Sequence, residues 1–235
     1  MSRLPFAAGL LSVAVICLGP AQAQTPPSAA ELAAYHGLHA AAARGSIKEV
    51  KRLDRTGRDL DERDANGRTP LHVAAFMGHA STAQALIAAG ANSGLLDNQR
   101  YDAVTIAAVR DDVPTLEALL SSGASAKLIT SRYDGTALIA AAHLGHDGIV
   151  KKLIEAGAPL DHMNNLGWTA LMEAVVLGDG GARHAKTVRA LLEAGADPQI
   201  KDRQGITPLE HARTRGYTGI VRLFERSISS PPKPI

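Results

Sequence analysis

The chain has 235 residues, 46% of them apolar, 20% charged and only 3% aromatic, so a disordered charged tail is excluded and the core must be filled by Ala, Leu, Ile and Val. That composition suits close-packed helices better than a β-sandwich, which favours aromatic and β-branched residues. The 25 basic and 23 acidic residues leave a net charge of +2 with no basic stripe, which argues against nucleic-acid binding. In chain order, residues 1–23 come first and read as a secretory signal. Arg3 supplies the positive charge, Phe6–Gly19 is an uncharged apolar run, Pro20 breaks it, and Ala21-Gln22-Ala23 gives a small-x-small cleavage site. The run is shorter than the ~20 apolar residues of a membrane span. Cys17 is preceded by Ile16 rather than a small residue, which argues against lipidation. A mature chain starting at Gln24 would keep no cysteine, so it would form no disulfide and be indifferent to an oxidising compartment. Residues 24–35 are read as a polar linker and lead-in.

From residue 36 onward the chain repeats. Gly-Ala recurs at Gly90-Ala91, Gly123-Ala124, Gly157-Ala158 and Gly195-Ala196, at intervals of 33, 34 and 38. Ahead of it runs a second series: Thr69-Pro70-Leu71-His72, Thr136-Ala137-Leu138, Thr169-Ala170-Leu171 and Thr207-Pro208-Leu209. Within a unit, Thr69 is a helix cap and Pro70 sits at the first helical position, where a missing N–H costs nothing. Leu71, Ala74 and Ala75 give a short inner helix, Gly78-His79 turns the chain, and Ala83, Leu86 and Ile87 line a second helix. Gly90 ends it in the left-handed cap position. No unit buries its apolar face alone, so neighbours must stack.

The motifs Asn66-Gly67-Arg68-Thr69-Pro70-Leu71-His72-Val73-Ala74-Ala75, Gly78-His79 and Leu86-Ile87-Ala88-Ala89-Gly90-Ala91-Asn92 resemble the ankyrin repeat. The resemblance covers residues 36–227 and implies an all-α solenoid of about six helix-turn-helix units joined by β-hairpin-like turns, followed by a disordered tail at 228–235. The first unit, with Leu38-His39-Ala40-Ala41, lacks the Thr-Pro cap. In the last, Arg213 replaces the second small alanine, as an end cap tolerates. The third unit departs furthest, with Asp102 at the cap, Thr105 for the histidine and Asp111 for the turn glycine, and should contribute less stability. Asp134-Gly135-Thr136 shifts a glycine by one place, leaving the hairpin turn there open. Five extra residues fall between Gly178 and Val188.

Nine histidines invite a metal or catalytic reading. His39 and His72 share one slot, His79 and His146 another; in the ankyrin family such residues are structural hydrogen-bonding groups between repeats. No third ligand stands at metal spacing to His143 and His146. No nucleophile elbow, zinc-protease motif or phosphate loop is present, and Gly178-Asp179-Gly180-Gly181 fails the dinucleotide pattern because Arg183 occupies its third glycine place. We therefore expect no enzyme activity, cofactor or metal.

The resemblance places a partner face at the hairpin tips and late in each inner helix. Here these are Arg68, Tyr101, Tyr133 and Trp168 on the hairpins, and Phe76-Met77, Val109-Arg110, His143-Leu144 and Val176-Leu177 on the helices. Four of the eight aromatics fall in this set. They either pad neighbouring hairpins or form a binding surface, and the Tyr, Trp and Arg rim favours the second reading. The insertion, with Asp179, Gly180, Gly181, Arg183 and His184, is either a tolerated extension or a loop made for a partner. The expected function is protein recognition in the periplasm, or after full secretion, by a chain that is monomeric alone and binds neither nucleic acid nor, once the signal is cleaved, membrane. It resembles the exported bacterial ankyrin proteins. Two roles stand beside each other: an accessory or scaffold for a periplasmic enzyme, and an inhibitor or immunity protein against a toxin.

Overall fold

The computed structural model describes residues 24–229; the signal peptide read at residues 1–23 and the end of the tail, 230–235, lie outside it. Among the described residues there are thirteen helices and a single isolated antiparallel bridge, Thr130 with Gly135. After α1 (Ala29–Ala34) come six pairs. The inner helices are α2 (Gly37–Ala43), α4 (Pro70–Phe76), α6 (Ala103–Val109), α8 (Ala137–His143), α10 (Ala170–Val176) and α12 (Pro208–Thr214). The outer helices are α3 (Ile47–Asp54), α5 (Ala80–Ala89), α7 (Val113–Ser121), α9 (Asp147–Glu155), α11 (Ala182–Glu193) and α13 (Thr218–Ser229). Each inner helix packs on the next inner helix and on its own outer partner.

Local chemistry sets these short helices. Thr136 and Thr169 accept a hydrogen bond from the third backbone N–H of their helices, and Thr207 does so within a capping box with Glu210. Asp102 does the same for α6, accepting from Thr105 N at 2.8 Å. At α4 the capping box is closed by His72, whose Nδ1 lies 3.1 Å from Thr69 N. Gly78 and Gly145 turn the chain at φ +71° and +67°, and Asp111 takes the same left-handed turn at +57°. Asp tolerates that region better than most side chains, because its short polar group can bond locally.

The core is a column of small and branched residues. Leu38, Leu71, Val104, Leu138 and Leu171 stand in one slot, all 1% exposed or less. Ala74, Ala75, Ala107, Ala108, Ala141 and Ala142 are fully buried and let the inner helices approach closely. Removing a fully buried leucine such as Leu71 from such a column costs about 2–5 kcal/mol.

A polar ladder crosses the repeats. His39 Nε2 donates to Arg68 O and His72 Nε2 to Tyr101 O, both at 2.9 Å. Behind the turns, His79 Nε2 donates to Ala43 O at 3.1 Å, His146 Nδ1 to Ala108 O at 2.9 Å and His184 Nε2 to His143 O at 3.0 Å. The Tyr217 hydroxyl makes the same reach to Gly178 O. These contacts join residues of successive repeats, the tie that the ankyrin resemblance implies for His39, His72, His79 and His146. Among the described residues, no cluster of three or more His, Cys, Asp or Glu side chains is arranged to hold a metal.

Three boundaries differ from the sequence reading. The lead-in holds the helix α1, closed by a Ser28–Glu31 capping box, because Ser-x-x-Glu satisfies two otherwise free N–H groups. The last helix runs through Ser229, past residue 227, so Ile228 and Ser229 are helical. The insertion is only partly a loop. Residues 179–181 lead into α11, and Arg183 and His184 lie within that twelve-residue helix. His184 then takes up the slot that His79 and His146 fill directly after their glycines. The hairpin left open at Asp134-Gly135 closes through Thr130 and Gly135, with Ser131 and Asp134 at φ +62° and +52°.

A candidate partner groove

Hairpins project from the inner-helix side and are built on one device. Asp64, Asp97, Asn164 and Asp202 each accept two backbone N–H groups, from the residues two and four places later. Successive hairpins are tied by single backbone bonds: Asn98 N to Asn66 O, Ser131 N to Arg100 O and Asn165 N to Tyr133 O. Hairpin residues and residues of α6, α8 and α10 together line an open cavity of about 400 Å³. That is within the range of small binding pockets.

Six of the residues singled out from sequence line this cavity: Tyr101, Val109, Tyr133, His143, Leu144 and Leu177. They come from the third, fourth and fifth repeats, and all are half-buried except Leu144, which is 40% exposed. Arg110 is exposed next to Val109 but does not line the cavity. Met77, Trp168 and Val176 are half-buried outside it, with Met77 packed against the core.

Two expectations are corrected. Phe76 is 3% exposed and belongs to the core: a bulky ring at the end of α4 turns into the stack instead of standing on its open face. Arg68 is 1% exposed, because the lead-in lies across it. Its Nε donates to Asp64 Oδ2 at 2.7 Å, Nη1 to Thr25 O at 3.3 Å and Nη2 to the Glu31 carboxylate. Tyr35 adds a hydroxyl bond to Asp64 at 2.6 Å. Burial alone would raise the Asp64 carboxyl, but the bonds from Tyr35 and Arg68 outweigh it and hold it below the usual range. Arg68 is thus the hub of an internal ion cluster and presents no face to a partner.

In the insertion, Arg183 leaves the groove and pairs with Asp111 at 2.5 Å and Asp147 at 3.7 Å. Asp179 is exposed, accepting from Gly181 N and pairing with His184 Nδ1 at 2.8 Å; the Gly181 bond and then His184 lower its carboxyl. His184 is buried between Asp179 and His143 O, and Gly180 lies under the ring of Tyr217. The insertion is pinned to the neighbouring repeats rather than held out toward the cavity.

Sequence reading missed the polar floor of the cavity. Glu173, on α10, is only 3% exposed and lines it, together with Asn164, whose Nδ2 donates to Glu173 Oε1 at 2.8 Å. Gln24, from the lead-in, closes one edge. The signal for Glu173 lies in the repeat register, since the same slot holds Val73, Ile106 and Ala140 in the three preceding units.

The comparisons with known proteins agree with this architecture. A model of ankyrin repeats (3 copies) matches residues 38–130, 104–202 and 138–229. An ankyrin repeat domain from Acinetobacter baumannii is 43% identical with a TM-score of 0.76, covering 81% of this chain and 96% of that one. A chain of the Bdellovibrio bacteriovorus predatory endopeptidase in complex with an immunity protein is 26% identical with a TM-score of 0.63, covering 82% and 98%. The putative ankyrin repeat protein YahD of Escherichia coli is 43% identical over 95 residues, 40% of this chain and 47% of that protein. The chain spans less than half the length of the curated relatives described first. Repeated caps, the histidine ladder, paired helices and a family match from residue 38 to 229 have one common explanation: the chain belongs to the ankyrin repeat family.

Proposed function

We propose that this chain is a non-enzymatic recognition protein, exported to the periplasm, that holds one partner protein in its hairpin groove as an accessory or scaffold subunit. The observation that carries the reading is the cavity itself. Three successive repeats turn aromatic and aliphatic side chains into one opening, and such clusters supply most of the energy of protein association. Ankyrin repeats are protein-interaction modules, and the leader at residues 1–23 supports export. The test is affinity capture from periplasmic extract with the wild type and with the Tyr133→Ala/Leu144→Asp double variant. The wild type should retain a partner that the variant loses, with both melting alike. Equal capture by the two would overturn the groove assignment. Cell fractionation and amino-terminal sequencing test export, with Gln24 expected as the first residue.

A second reading, that the chain blocks an enzyme or toxin, is favoured by one observation: its likeness to a chain from the Bdellovibrio endopeptidase–immunity protein complex. Adding the chain to its captured partner separates the two. An inhibitor would abolish the partner's activity, and a scaffold would leave it intact or raise it.

A further inference from the structure

Burying a carboxylate is expensive unless its oxygens are matched by charge and hydrogen bonds. Glu173 is buried where the preceding repeats place Val73, Ile106 and Ala140, and only half of it is matched. Oε1 receives Asn164 Nδ2. Oε2 accepts no hydrogen bond, although His143 Nδ1 lies 3.2 Å away, because the ring is not aligned on it. Asn164 itself is adapted to this neighbour. Its slot is Asp in the second, third and sixth repeats, and an amide there can donate to a carboxylate where an aspartate could not. Gln24, 8% exposed on the rim of the same cavity, has both side-chain amide atoms without a partner among the described residues. The cavity walls beside these polar atoms are Val109, Ile139, Leu144 and Leu177, with Tyr101 and Tyr133 at the hairpin side.

An apolar shaft with one incompletely matched carboxylate at its floor fits a long aliphatic stem ending in a cation. We propose that the cavity is an anchor pocket for a single lysine or arginine side chain on an extended segment of the partner protein. The cationic head takes Glu173 Oε2, which has no open surface until the neighbouring His143 ring swings aside, and the methylene stem lies between Ile139 and Leu177. Charge complementarity selects this occupant. An apolar side chain would fill the walls but leave the carboxylate unmatched, and an acidic one would be repelled. The inference rests on the proposed groove function and adds the chemistry that the groove selects.

The probes are three pentapeptides, acetyl-Ala-Ala-X-Ala-Ala-amide, with X as lysine, arginine or norleucine. Norleucine keeps the stem and lacks the charge. Each is titrated into the ¹⁵N-labelled full chain while the amide signals of Ile139, Glu173 and Leu177 are followed. The expected result is that the lysine or arginine peptide half-saturates at a concentration at least tenfold below the norleucine peptide. Glu173→Gln, which can still accept from Asn164, should erase that difference. If Glu173→Gln fails to fold, Ala140→Leu provides the second variant. It adds bulk to the cavity wall without touching the carboxylate and should abolish binding of all three peptides. Equal affinity of the three peptides for the wild type, shifts at other residues only, or undiminished charge selection in Glu173→Gln would each overturn the pocket. If partner capture still depends on Tyr133 and Leu144 while the peptides do not discriminate, the groove function stands and the pocket assignment falls.

Discussion

Replacing Asp102 by Asn should stabilise the protein at neutral pH, and the size of the gain should depend on pH in a defined way. Asp102 caps α6 and is 1% exposed. Burial, with the Asp97 carboxylate adding to it, outweighs the bonds from Thr105 and pushes the Asp102 carboxyl up to about 6, against 3.8 in the unfolded chain. The folded state therefore holds this proton more tightly than the unfolded state. Its contribution is fully present below pH 3.8 and is lost as pH rises through 6. A difference of about two units at roughly 1.4 kcal/mol each sets the loss near 3 kcal/mol at pH 8. Asn keeps the cap acceptor and carries no charge. The variant should gain up to that amount at pH 8, roughly half of it near pH 5, about a fifth at pH 4 and almost nothing at pH 3. Urea unfolding followed by circular dichroism, with wild type and variant compared at each pH, reads the difference. The comparison cancels the opposite contribution of His72, whose ring burial holds below its usual range and whose stabilisation fades as pH falls below 6.5. A variant less stable than wild type at pH 8, or a gain that does not change with pH, would refute the reasoning.

Phe76→Ala should lower stability by about 3–5 kcal/mol, while Leu144→Ala should change it by less than about 0.5 kcal/mol. Similar melts for the two would mean that the ring at the end of α4 is not core. Arg68→Ala should cost about 3–5 kcal/mol, because it strands the buried Asp64 carboxylate under the lead-in; urea midpoints within experimental error of wild type would reject the cluster. Gly178→Ala should destabilise by at least about 1–3 kcal/mol, since an added Cβ would collide with the Ala174 carbonyl and the His184 ring; a thermal melt identical to wild type would show that this turn relaxes freely.

The repeat was legible because most units spell the same instructions and the departures fall at single slots. Cap, leucine, alanine pair, turn glycine and final Gly-Ala recur in register, so periodicity alone counts the pairs and separates inner from outer helices. Asp102 and Asp111 were readable as local substitutes, since capping and left-handed turns depend on a few adjacent atoms. The groove was half legible. Tyr101, Val109, Tyr133, His143, Leu144 and Leu177 were found by their slots. Arg68 and Phe76 were misplaced because their surroundings are set by contacts distant in sequence: Thr25 and Glu31 cover Arg68, and the stack encloses Phe76. Glu173 went unnoticed because a glutamate in an amphipathic helix passes for solvated until its column is compared with Val73, Ile106 and Ala140. His184 looked like part of a loop because the extra residues delay it, yet its hydrogen bond shows which slot it fills.

The contact between Thr25 and Gln99 changes how the array should come apart. In a stack held by nearest-neighbour interfaces, the first repeat is the cheapest to release, and unfolding peels inward from the ends one unit at a time. Here Thr25 N donates to Gln99 Oε1 and Gln99 Nε2 donates back to Thr25 Oγ1, so the segment before α1 reaches past the second repeat to the third. Releasing the first repeat means surrendering the Arg68 cluster in the second and the Gln99 pair in the third together. Amide protons from α2 to α6 should consequently exchange as one cooperative block, while α12 and α13, which have no such strap among the described residues, should open separately and sooner. Unravelling of this solenoid should start at its carboxyl end.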